Sequence, residues 1–426
     1  MEYPILLRLV TQVSSSLASL DEVVLRVQEL LDTQGMAGVL SLLLSLMDRA
    51  LLQAWRTGAL LPPVCCAHPA YEVEGTRKRV IRTSVGRVSF AWHRLRCRHC
   101  HARWIPLRTY LGLQRQQRHS AELEQRGLEA SSSQSYRQAA RQTGVAKSTL
   151  HQWVRETTSD ELPAPTEPDP VLEADGMVFH RHPDEVGGST RGDLRVAIGI
   201  SATGAMSIRG VWSGPAWDRI GNDVAQREGG PAIELVQDGE PGLAEGVGPA
   251  ATYVQRCHRH LALRADAPLL ADDLAVKLRR FWQQALSVIL AIRLPDDATD
   301  PLQRADLRRT VRVTTDLLMA LADEWESDGL IHGATYLRNA LPYLFSYVTA
   351  WLATGRRLPR TTALIEGVMS QLTIRVKAIG RNWKALGVVK IARMILKRWK
   401  HRHEWLVYWV RRQHRTGSVQ VSLAIS

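Results

Sequence analysis

Residues 172–179 read Leu172-Glu-Ala-Asp175-Gly-Met-Val-Phe179, and residues 233–240 read Ile233-Glu-Leu-Val-Gln-Asp238-Gly-Glu240. Both are apolar, strand-like stretches that carry an Asp-Gly pair. A carboxylate inside a hydrophobic strand is costly unless it is paired or binds a metal ion, although Asp-Gly alone is also ordinary turn chemistry. Two further strand-like runs, 193–200 and 206–212, lie between the stretches. The pattern predicts a sheet with aspartates on two of its strands.

This order of strands suggests an RNase H-like α/β sheet, in which neighbouring strands bring two carboxylates together. Asp175 and Asp238 would then share Mg²⁺, a hard cation that prefers oxygen ligands. Glu173 lies on the same strand face as Asp175 and is the alternative acid on this strand.

The charge of the chain is unevenly distributed. Its formal net charge is +13. Two windows, 77–126 and 371–415, contain 13 Lys or Arg each, and the two windows together contain only three acids. Basic blocks around an acidic middle predict a polyanionic partner, of which nucleic acid is the obvious one. Solvated helix faces are the alternative for each block. The second block also contains tryptophans that would stack on bases or pack internally: Trp383, Trp399, Trp405 and Trp409.

Five cysteines in a long chain without a secretion signal indicate metal binding or catalysis before disulfides. Cys65-x-x-His68 and Cys97-x-x-Cys100 flank a predicted hairpin with strands at 79–83 and 87–92. Tetrahedral Zn²⁺ takes four N or S ligands, and one tight turn can present two of them. We therefore predict a zinc ribbon with these four ligands; the alternative is a metal-free domain with buried thiols. Two adjacent residues could replace a ligand: Cys66 and His101.

Arginines surround the second cysteine pair, and guanidinium groups suit the recognition of phosphates. The ribbon is therefore predicted to contact DNA. The residues predicted to bind phosphates in the two basic blocks are Arg94, Arg96, Lys397 and Arg398.

Residues 135–154 have the spacing of a helix-turn-helix. Gly144 falls in the predicted turn, and Leu150 and Trp153 lie on the inner face of the second helix. An ordinary αα-hairpin is the alternative. In the DNA-binding interpretation, the second helix presents these side chains to a major groove: Lys147, Ser148, Thr149, His151 and Gln152.

A resemblance to a known family becomes specific after Asp238. The block Asp238-Gly-Glu-Pro-Gly-Leu-Ala-Glu, followed by Tyr253-Val-Gln-Arg-Cys257-His-Arg-His260-Leu, resembles the second-aspartate block of mutator-like bacterial insertion-sequence transposases. The segment Thr361-Thr-Ala-Leu-Ile-Glu366-Gly-Val-Met-Ser-Gln-Leu is similar to the helix that carries their glutamate. The ribbon and helix-turn-helix resemble the DNA-binding front of related transposases.

The resemblance implies a DDE triad of Asp175, Asp238 and Glu366 that binds two Mg²⁺ ions, or Mn²⁺. One ion would activate the attacking oxygen, and the other would stabilise the leaving oxygen of an in-line displacement. Water attacks first, and the freed 3′-hydroxyl then attacks target DNA. The resemblance also implies that Cys257 and His260, on a strand, support the active site. A buried cysteine and a hydrogen-bonded histidine without catalytic role are the alternative.

The long segment between Asp238 and Glu366 resembles the all-α insertion that precedes the glutamate in this family; a separate helical domain is the alternative. We therefore predict a multidomain chain. Its segments are an N-terminal helical segment (1–60), a zinc ribbon (61–110), a helix-turn-helix (115–158), a linker (159–170), the first part of an RNase H-like core (171–262), an all-α insertion (263–355) and the glutamate helix with a basic helical tail (356–426).

We expect a DNA transposase that binds double-stranded DNA, both element ends and target, as a homodimer or larger assembly. A transposase-derived DNA-binding protein without catalysis and an RNase H-like nuclease that cuts without joining are the alternatives. The apolar run from Met36 to Met47 is shorter than the roughly 20 residues of a membrane span, and predicts a buried helix and no membrane partner. No basic segment precedes an apolar run at the N-terminus, which favours a cytoplasmic, nucleoid-associated protein.

Overall fold

The computed structural model describes residues 35–157, 169–182, 190–214, 216–228, 231–379 and 382–412. The first part of the predicted N-terminal helical segment, most of the predicted linker and the end of the predicted tail lie outside these residues. The chain forms two compact units. Within the described ranges, the first unit contains 35–131, 136–153 and 403–412, and the second contains the remainder.

The first unit begins with a helix and an antiparallel three-stranded sheet in the order β1-β2-β3. The predicted hairpin is confirmed: β1 pairs with β2, and Gly86 at the turn has a φ of +122° that favours glycine. The elements are α1 (Gly35–Arg56), β1 (Tyr71–Thr83), β2 (Gly86–Cys97), β3 (Arg103–Trp104) and α2 (Pro106–Tyr110).

Helix α1 packs one face on the hairpin, where Met47 and Leu51 are buried with Val88 and Phe90 of β2. Its opposite face is exposed at positions such as Leu42. Among the described residues, the predicted buried helix is therefore buried on one side only. Among the described residues, α1 is the one helix that is long and apolar enough to cross a membrane. This is weak evidence for a membrane span, because a core helix of a soluble protein meets the same criterion.

Three helices follow in the region of the predicted helix-turn-helix: α3 (Ala121–Ser133), α4 (Tyr136–Thr143) and α5 (Lys147–Thr157). Gly144, between α4 and α5, has a φ of +66°. A Cβ on Gly127 of α3 would lie 2.8 Å from the side chains of Leu150 and Trp153. Glycine therefore permits the close approach of α3 and α5.

The last described helix is Arg402–Arg412. From His403 onward it belongs to the first unit, so the predicted segment 356–426 is divided between the two units. Arg412 of this helix forms an ion pair with Glu124 of α3 at 3.0 Å. Its Trp405 and Trp409 are buried, so these two predicted base-stacking candidates pack internally.

A mixed five-stranded sheet forms the centre of the second unit, in the order β6-β5-β4-β7-β8. β4 is antiparallel to β5 and parallel to β7, β5 is antiparallel to β6, and β7 is parallel to β8. Among these described strands, β5 therefore runs against the other four. The strands are β4 (Val171–His180), β5 (Arg191–Ile200), β6 (Met206–Ser213), β7 (Ala232–Gln237) and β8 (Ala251–Arg256).

Helices make up most of the second unit. They are α6 (Trp217–Glu228), α7 (Leu243–Val247), α8 (His258–Arg264), α9 (Asp266–Ala271), α10 (Val276–Ile289), α11 (Pro301–Ser327), α12 (Ile331–Ala340), α13 (Ser346–Thr354), α14 (Ala363–Thr373) and α15 (Ala385–Lys400). Helices α8 to α13 enclose one hydrophobic cluster that includes Trp325 and Trp351.

The central strand β4 presents different side chains to the two faces of the sheet. Leu172 and Ala174 pack in an apolar cluster with Trp217 of α6. Because side chains alternate along a strand, Glu173 and Asp175 lie on the opposite face, where α14 packs. The sheet therefore has one apolar face and one face that carries acids.

Candidate metal centres and nucleic-acid interface

The first candidate site is a cysteine cluster beside the hairpin. Four cysteine side chains have their Sγ atoms within 4.8 Å of one another: Cys65, Cys66, Cys97 and Cys100. Within the described residues, no other group of three or more His, Cys, Asp or Glu side chains is as close. The Sγ atoms of Cys66 and Cys97 are 3.8 Å apart, and those of Cys65 and Cys100 are 3.3 Å apart. Tetrahedral Zn–S bonds of about 2.3 Å give S–S separations of about 3.8 Å. The cluster could therefore hold a metal ion and suits structural zinc.

The close group differs from the predicted ligand set in one member, because it contains Cys66 and does not contain His68. The turn before β1 directs two adjacent sulfurs into the cluster, Cys65 toward Cys100 and Cys66 toward Cys97. The ring of His68 instead lies edge-on to His99, with centroids 6.4 Å apart.

The thiols of the cluster differ in their acidity. Hydrogen bonding from the backbone N–H of Cys100 lowers the pKa of Cys97 to about 5. The Tyr71 hydroxyl acts to lower the pKa of Cys65, but burial and the neighbouring thiols raise it to about 12. Four thiolates at these separations repel one another, so a bound cation would stabilise their ionised forms.

The second candidate site lies on the acidic face of the central sheet. Ala174 of β4 pairs with Gln237 of the parallel strand β7, so Asp175 and Asp238 follow on adjacent strands. Burial, and then the negative charge of Asp238, raises the pKa of Asp175 to about 7. The two predicted aspartates are therefore close enough to interact.

Two arginines of α8 neutralise carboxylates of this site. Arg264 Nη2 lies 2.5 Å from Asp238 Oδ2, and Arg259 Nη1 lies 2.9 Å from Glu366 Oε2. Both guanidinium groups remain about half exposed, whereas Asp238 is only 2% exposed. In the described part of the chain, the carboxylates of Asp175, Asp238 and Glu366 do not form a close ligand set of the kind that the cysteines form.

His260 connects the aspartates with the helix of Glu366. Its Nδ1 lies 3.1 Å from the hydroxyl of Thr362 and 3.8 Å from Glu366 Oε1. A hydrogen bond with Cys257 is the largest influence on the pKa of His260 and raises it. Burial alone would raise the pKa of Cys257, but hydrogen bonds from His260 and Thr362 lower it to about 7. Cys257 and His260 therefore form one polar cluster with Thr362.

The predicted strand at Cys257 and His260 is wrong, because β8 ends at Arg256 and α8 begins at His258. The helical geometry places His260 and Arg264, four residues apart, on one side of α8. Recognition of this helix from the sequence would have identified Arg264 as a neighbour of His260. The contact of Thr362 with Cys257 spans 105 residues, and the sequence contains no local signal for it.

The predicted DNA-reading side chains lie on the outer face of α5. Lys147, Ser148, His151 and Gln152 are exposed, and Thr149 is half-buried. The ring of His151 stacks on Tyr136 of α4, with centroids 3.8 Å apart. The predicted inner residues of α5, Leu150 and Trp153, are buried, and so is Val154.

A groove of about 1410 Å³ in the first unit is strongly basic, with no Asp or Glu among the described residues that line it. Burial, followed by the charges of neighbouring arginines, lowers the pKa of Arg79 in this groove. Arg82 donates from Nη1 to the carbonyl oxygen of Gly144 at 2.8 Å, which joins the hairpin to the turn before α5. The basic residues that line the groove are Arg77, Lys78, Arg79, Arg82, Arg87, Arg94, Arg103, Arg108, Arg115 and Arg118.

The four predicted phosphate-binding residues differ in their surroundings. Arg94 lies in the groove and forms an ion pair with Glu74 at 2.6 Å. Arg96 is half-buried. Lys397 and Arg398 are half-buried on α15, where Arg398 donates to the Ser132 hydroxyl. Of the tryptophans in the second basic block, Trp399 is 40% exposed, whereas Trp383 is buried.

A scan against protein-family models found no match, and a search of curated proteins found no significant match.

Proposed function

We propose that this chain is a DNA transposase with an RNase H-like core and a DDE triad of Asp175, Asp238 and Glu366. The observation that carries the proposal is the parallel pairing of β4 with β7, which brings Asp175 of β4 close to Asp238, the residue that follows β7. His260 interacts with Asp238 and lies near Glu366, which supports the inclusion of the glutamate. The helical segment between β8 and α14 fits the predicted all-α insertion.

The triad would hold Mg²⁺ or Mn²⁺, because carboxylate oxygens are the donors that these hard cations prefer. When bound, the ions supply positive charge at the attacking and leaving oxygens of a phosphodiester. Asp175 and Asp238 fit this role, since the charge of Asp238 raises the pKa of Asp175 and a bound cation would relieve that repulsion.

The remaining polar residues of the site have roles that follow from their positions. The guanidinium groups of Arg259 and Arg264 are half exposed beside the carboxylates, so they can contact phosphates of the scissile strand. The hydrogen bond with Cys257 raises the pKa of His260, which favours positive charge next to Glu366. Cys257 and Thr362 orient its ring.

The first unit would bind the element ends. Its basic groove supplies contacts to phosphates without regard to sequence, and the exposed face of α5 supplies side chains that reach base edges. Zinc in the cysteine cluster would hold the hairpin that forms the groove. Joining of two ends to target DNA requires a homodimer or larger assembly, in the cytoplasm at the nucleoid.

The test is a cleavage assay on duplexes that contain the element ends, identified as inverted repeats in the DNA flanking the gene. Asp175→Asn, Asp238→Asn and Glu366→Gln should each abolish cleavage with Mg²⁺ or Mn²⁺ and leave DNA binding intact. Asp193→Asn is a matched control, since Asp193 is a half-exposed acid on the adjacent strand β5.

Nicked and joined products are separated on denaturing gels. Cleavage without joining would identify a nuclease, and binding without cleavage by the unmodified chain would identify a DNA-binding protein. A triad variant that cleaves at the unmodified rate would remove its residue from the proposed site.

A further inference from the structure

The N-terminus of α14, the helix that carries Glu366 in its first turn, lacks a cap from its own N-cap side chain. The first four backbone N–H groups of a helix have no acceptor within the helix. Thr362 occupies the N-cap position and is of a favoured residue type, but its side chain makes no capping hydrogen bond within the described structure. Its hydroxyl instead contacts His260 and Cys257. The capping acceptor must therefore come from elsewhere.

Glu173 of β4 supplies that acceptor. The backbone N–H of Ile365 donates to Glu173 Oε2 at 2.8 Å. Glu173 is only 1% exposed and Ile365 is fully buried. A carboxylate near a helix N-terminus is also favoured by the helix dipole.

This hydrogen bond lies on a short path between two members of the proposed triad. Glu173 precedes Asp175 by two residues on the central strand, and Ile365 immediately precedes Glu366 on α14. The bond therefore links the strand that carries Asp175 with the helical turn that carries Glu366. A shift of α14 along the sheet would move one carboxylate relative to the other.

A different role for Glu173, as a metal ligand, is not favoured by its surroundings. Its carboxylate is engaged by α14 and lies in the protein interior, whereas Arg259 and Arg264 contact Glu366 and Asp238 from the exposed side. Glu173 also belongs to no close group of ligand atoms in the described part of the chain.

We propose that Glu173 is a positioning residue that caps α14 from the central strand and thereby fixes Glu366 relative to Asp175. The inference rests on the proposed function and adds to it an acid outside the triad. Glutamine retains one oxygen acceptor for the Ile365 amide, whereas alanine removes the acceptor entirely. The two substitutions therefore separate the cap from the charge.

The experiment compares Glu173→Gln and Glu173→Ala with a matched control, Glu234→Gln. Glu234 is a fully buried acid on β7, and neither of its carboxylate oxygens has a hydrogen-bond partner within the described residues. The full chain is assayed for end cleavage with Mn²⁺, for DNA affinity, and for amide hydrogen exchange in peptides that cover 361–370.

Glu173→Ala should lower kcat at least tenfold with KM and DNA affinity unchanged, and hydrogen exchange at the start of α14 should accelerate. Glu173→Gln should retain cleavage within threefold of the unmodified chain, with slow exchange, and Glu234→Gln should change neither. This rescue by glutamine distinguishes a cap from a ligand, because an amide is a poor substitute for a metal-binding carboxylate.

Equal loss of kcat in both Glu173 variants, with unchanged exchange, would overturn the capping role. Unchanged cleavage by Glu173→Ala with faster exchange would show that the cap does not position Glu366, and would also overturn it. If the unmodified chain does not cleave DNA, the proposed function fails and with it the positioning role, whereas the exchange measurement still decides whether Glu173 caps α14.

Discussion

The guanidinium group of Arg264 lies 2.5 Å from the carboxylate of Asp238, which is almost completely buried. A divalent cation that binds Oδ2 of Asp238 would therefore compete with Arg264 for that oxygen.

Substitution of Arg264 by glutamine should consequently tighten Mn²⁺ binding. Because the side chain of Arg264 is 47% exposed, its ion pair contributes no more than about 1 kcal/mol, or about a fivefold change in affinity. Isothermal titration with Mn²⁺ measures the change. Arg279→Gln, which breaks a comparable ion pair with Asp266, is the control and should leave Mn²⁺ affinity unchanged; equal affinities for all three proteins would contradict the competition.

The cysteine cluster predicts one zinc ion per chain with Cys66, and not His68, as a ligand. Cys66→Ser should lose zinc and unfold the hairpin region locally, because the free energy of metal binding contributes to folding. His68→Ala should retain both zinc and fold. Metal analysis together with circular dichroism distinguishes the two variants, and zinc loss in His68→Ala would restore the histidine to the ligand set.

Cys257 raises the pKa of His260 through a hydrogen bond. In Cys257→Ala that pKa should fall back toward 6.5, since the bond that favours the protonated ring is lost. A titration of the imidazole resonances by NMR measures the change, and His260→Gln identifies the signal. A pKa unaffected by the substitution would assign the shift to other neighbours.

The buried carboxyl of Glu234 predicts a pH-dependent stability. Burial, and then the charge of Glu173, raises the pKa of Glu234 from 4.5 to about 9. Between these values the folded chain keeps a proton that the unfolded chain releases, so stability falls as pH rises through this window. Glu234→Met should remove this dependence and raise the free energy of unfolding at pH 7 by about 3 kcal/mol, at about 1.4 kcal/mol per pH unit.

Urea unfolding at pH 5, 7 and 9 measures the effect of this substitution. Asp193→Asn, which changes a half-exposed acid, should leave the slope of stability against pH unchanged. A Glu234→Met chain with the same slope as the unmodified chain would show that Glu234 does not titrate in this window.

The basic groove and the outer face of α5 predict two different effects on DNA binding. Arg77→Gln and Arg87→Gln should weaken binding to all sequences, and each lost phosphate contact should lower the salt slope by roughly one. His151→Ala and Gln152→Ala should relax sequence preference, because one good base contact contributes about 1–3 kcal/mol of discrimination.

Binding to terminal-repeat and scrambled duplexes across a salt series separates these effects. Arg98→Gln is the control, since Arg98 pairs with Glu72 and does not line the groove. If the variants of the groove and of α5 behave alike, the division between phosphate binding and base reading is wrong.

The strands of the central sheet could be predicted closely from the sequence. The stretch predicted at 193–200 corresponds to Arg191–Ile200, and that at 206–212 to Met206–Ser213. Strand formation depends on local runs of apolar and β-branched residues, so a short window of sequence contains the necessary information. The hairpin of the first unit was predictable for the same reason.

Errors arose where neighbours in space decide the outcome. The zinc-type cluster includes Cys66 because of the path of the turn before β1, and the spacing of Cys65 and His68 does not determine that path. The segment after Arg256 is a helix, although its residues resemble a strand motif. Local spacing identified the regions in both cases but did not determine which residues meet within them.

The sequence by itself determined which groups of residues are candidates for function. They are the acids of β4 and β7, the cysteine pairs and the basic blocks, and each group is recognised by residue type and short spacing. Only the tertiary structure decided which of these groups meet. Glu173 accepts the amide of Ile365 across 192 positions of sequence, and Arg264 reaches Asp238 from a helix beyond the next strand. Such contacts depend on how strands and helices pack, and packing is a property of the whole folded chain that no short window of sequence contains.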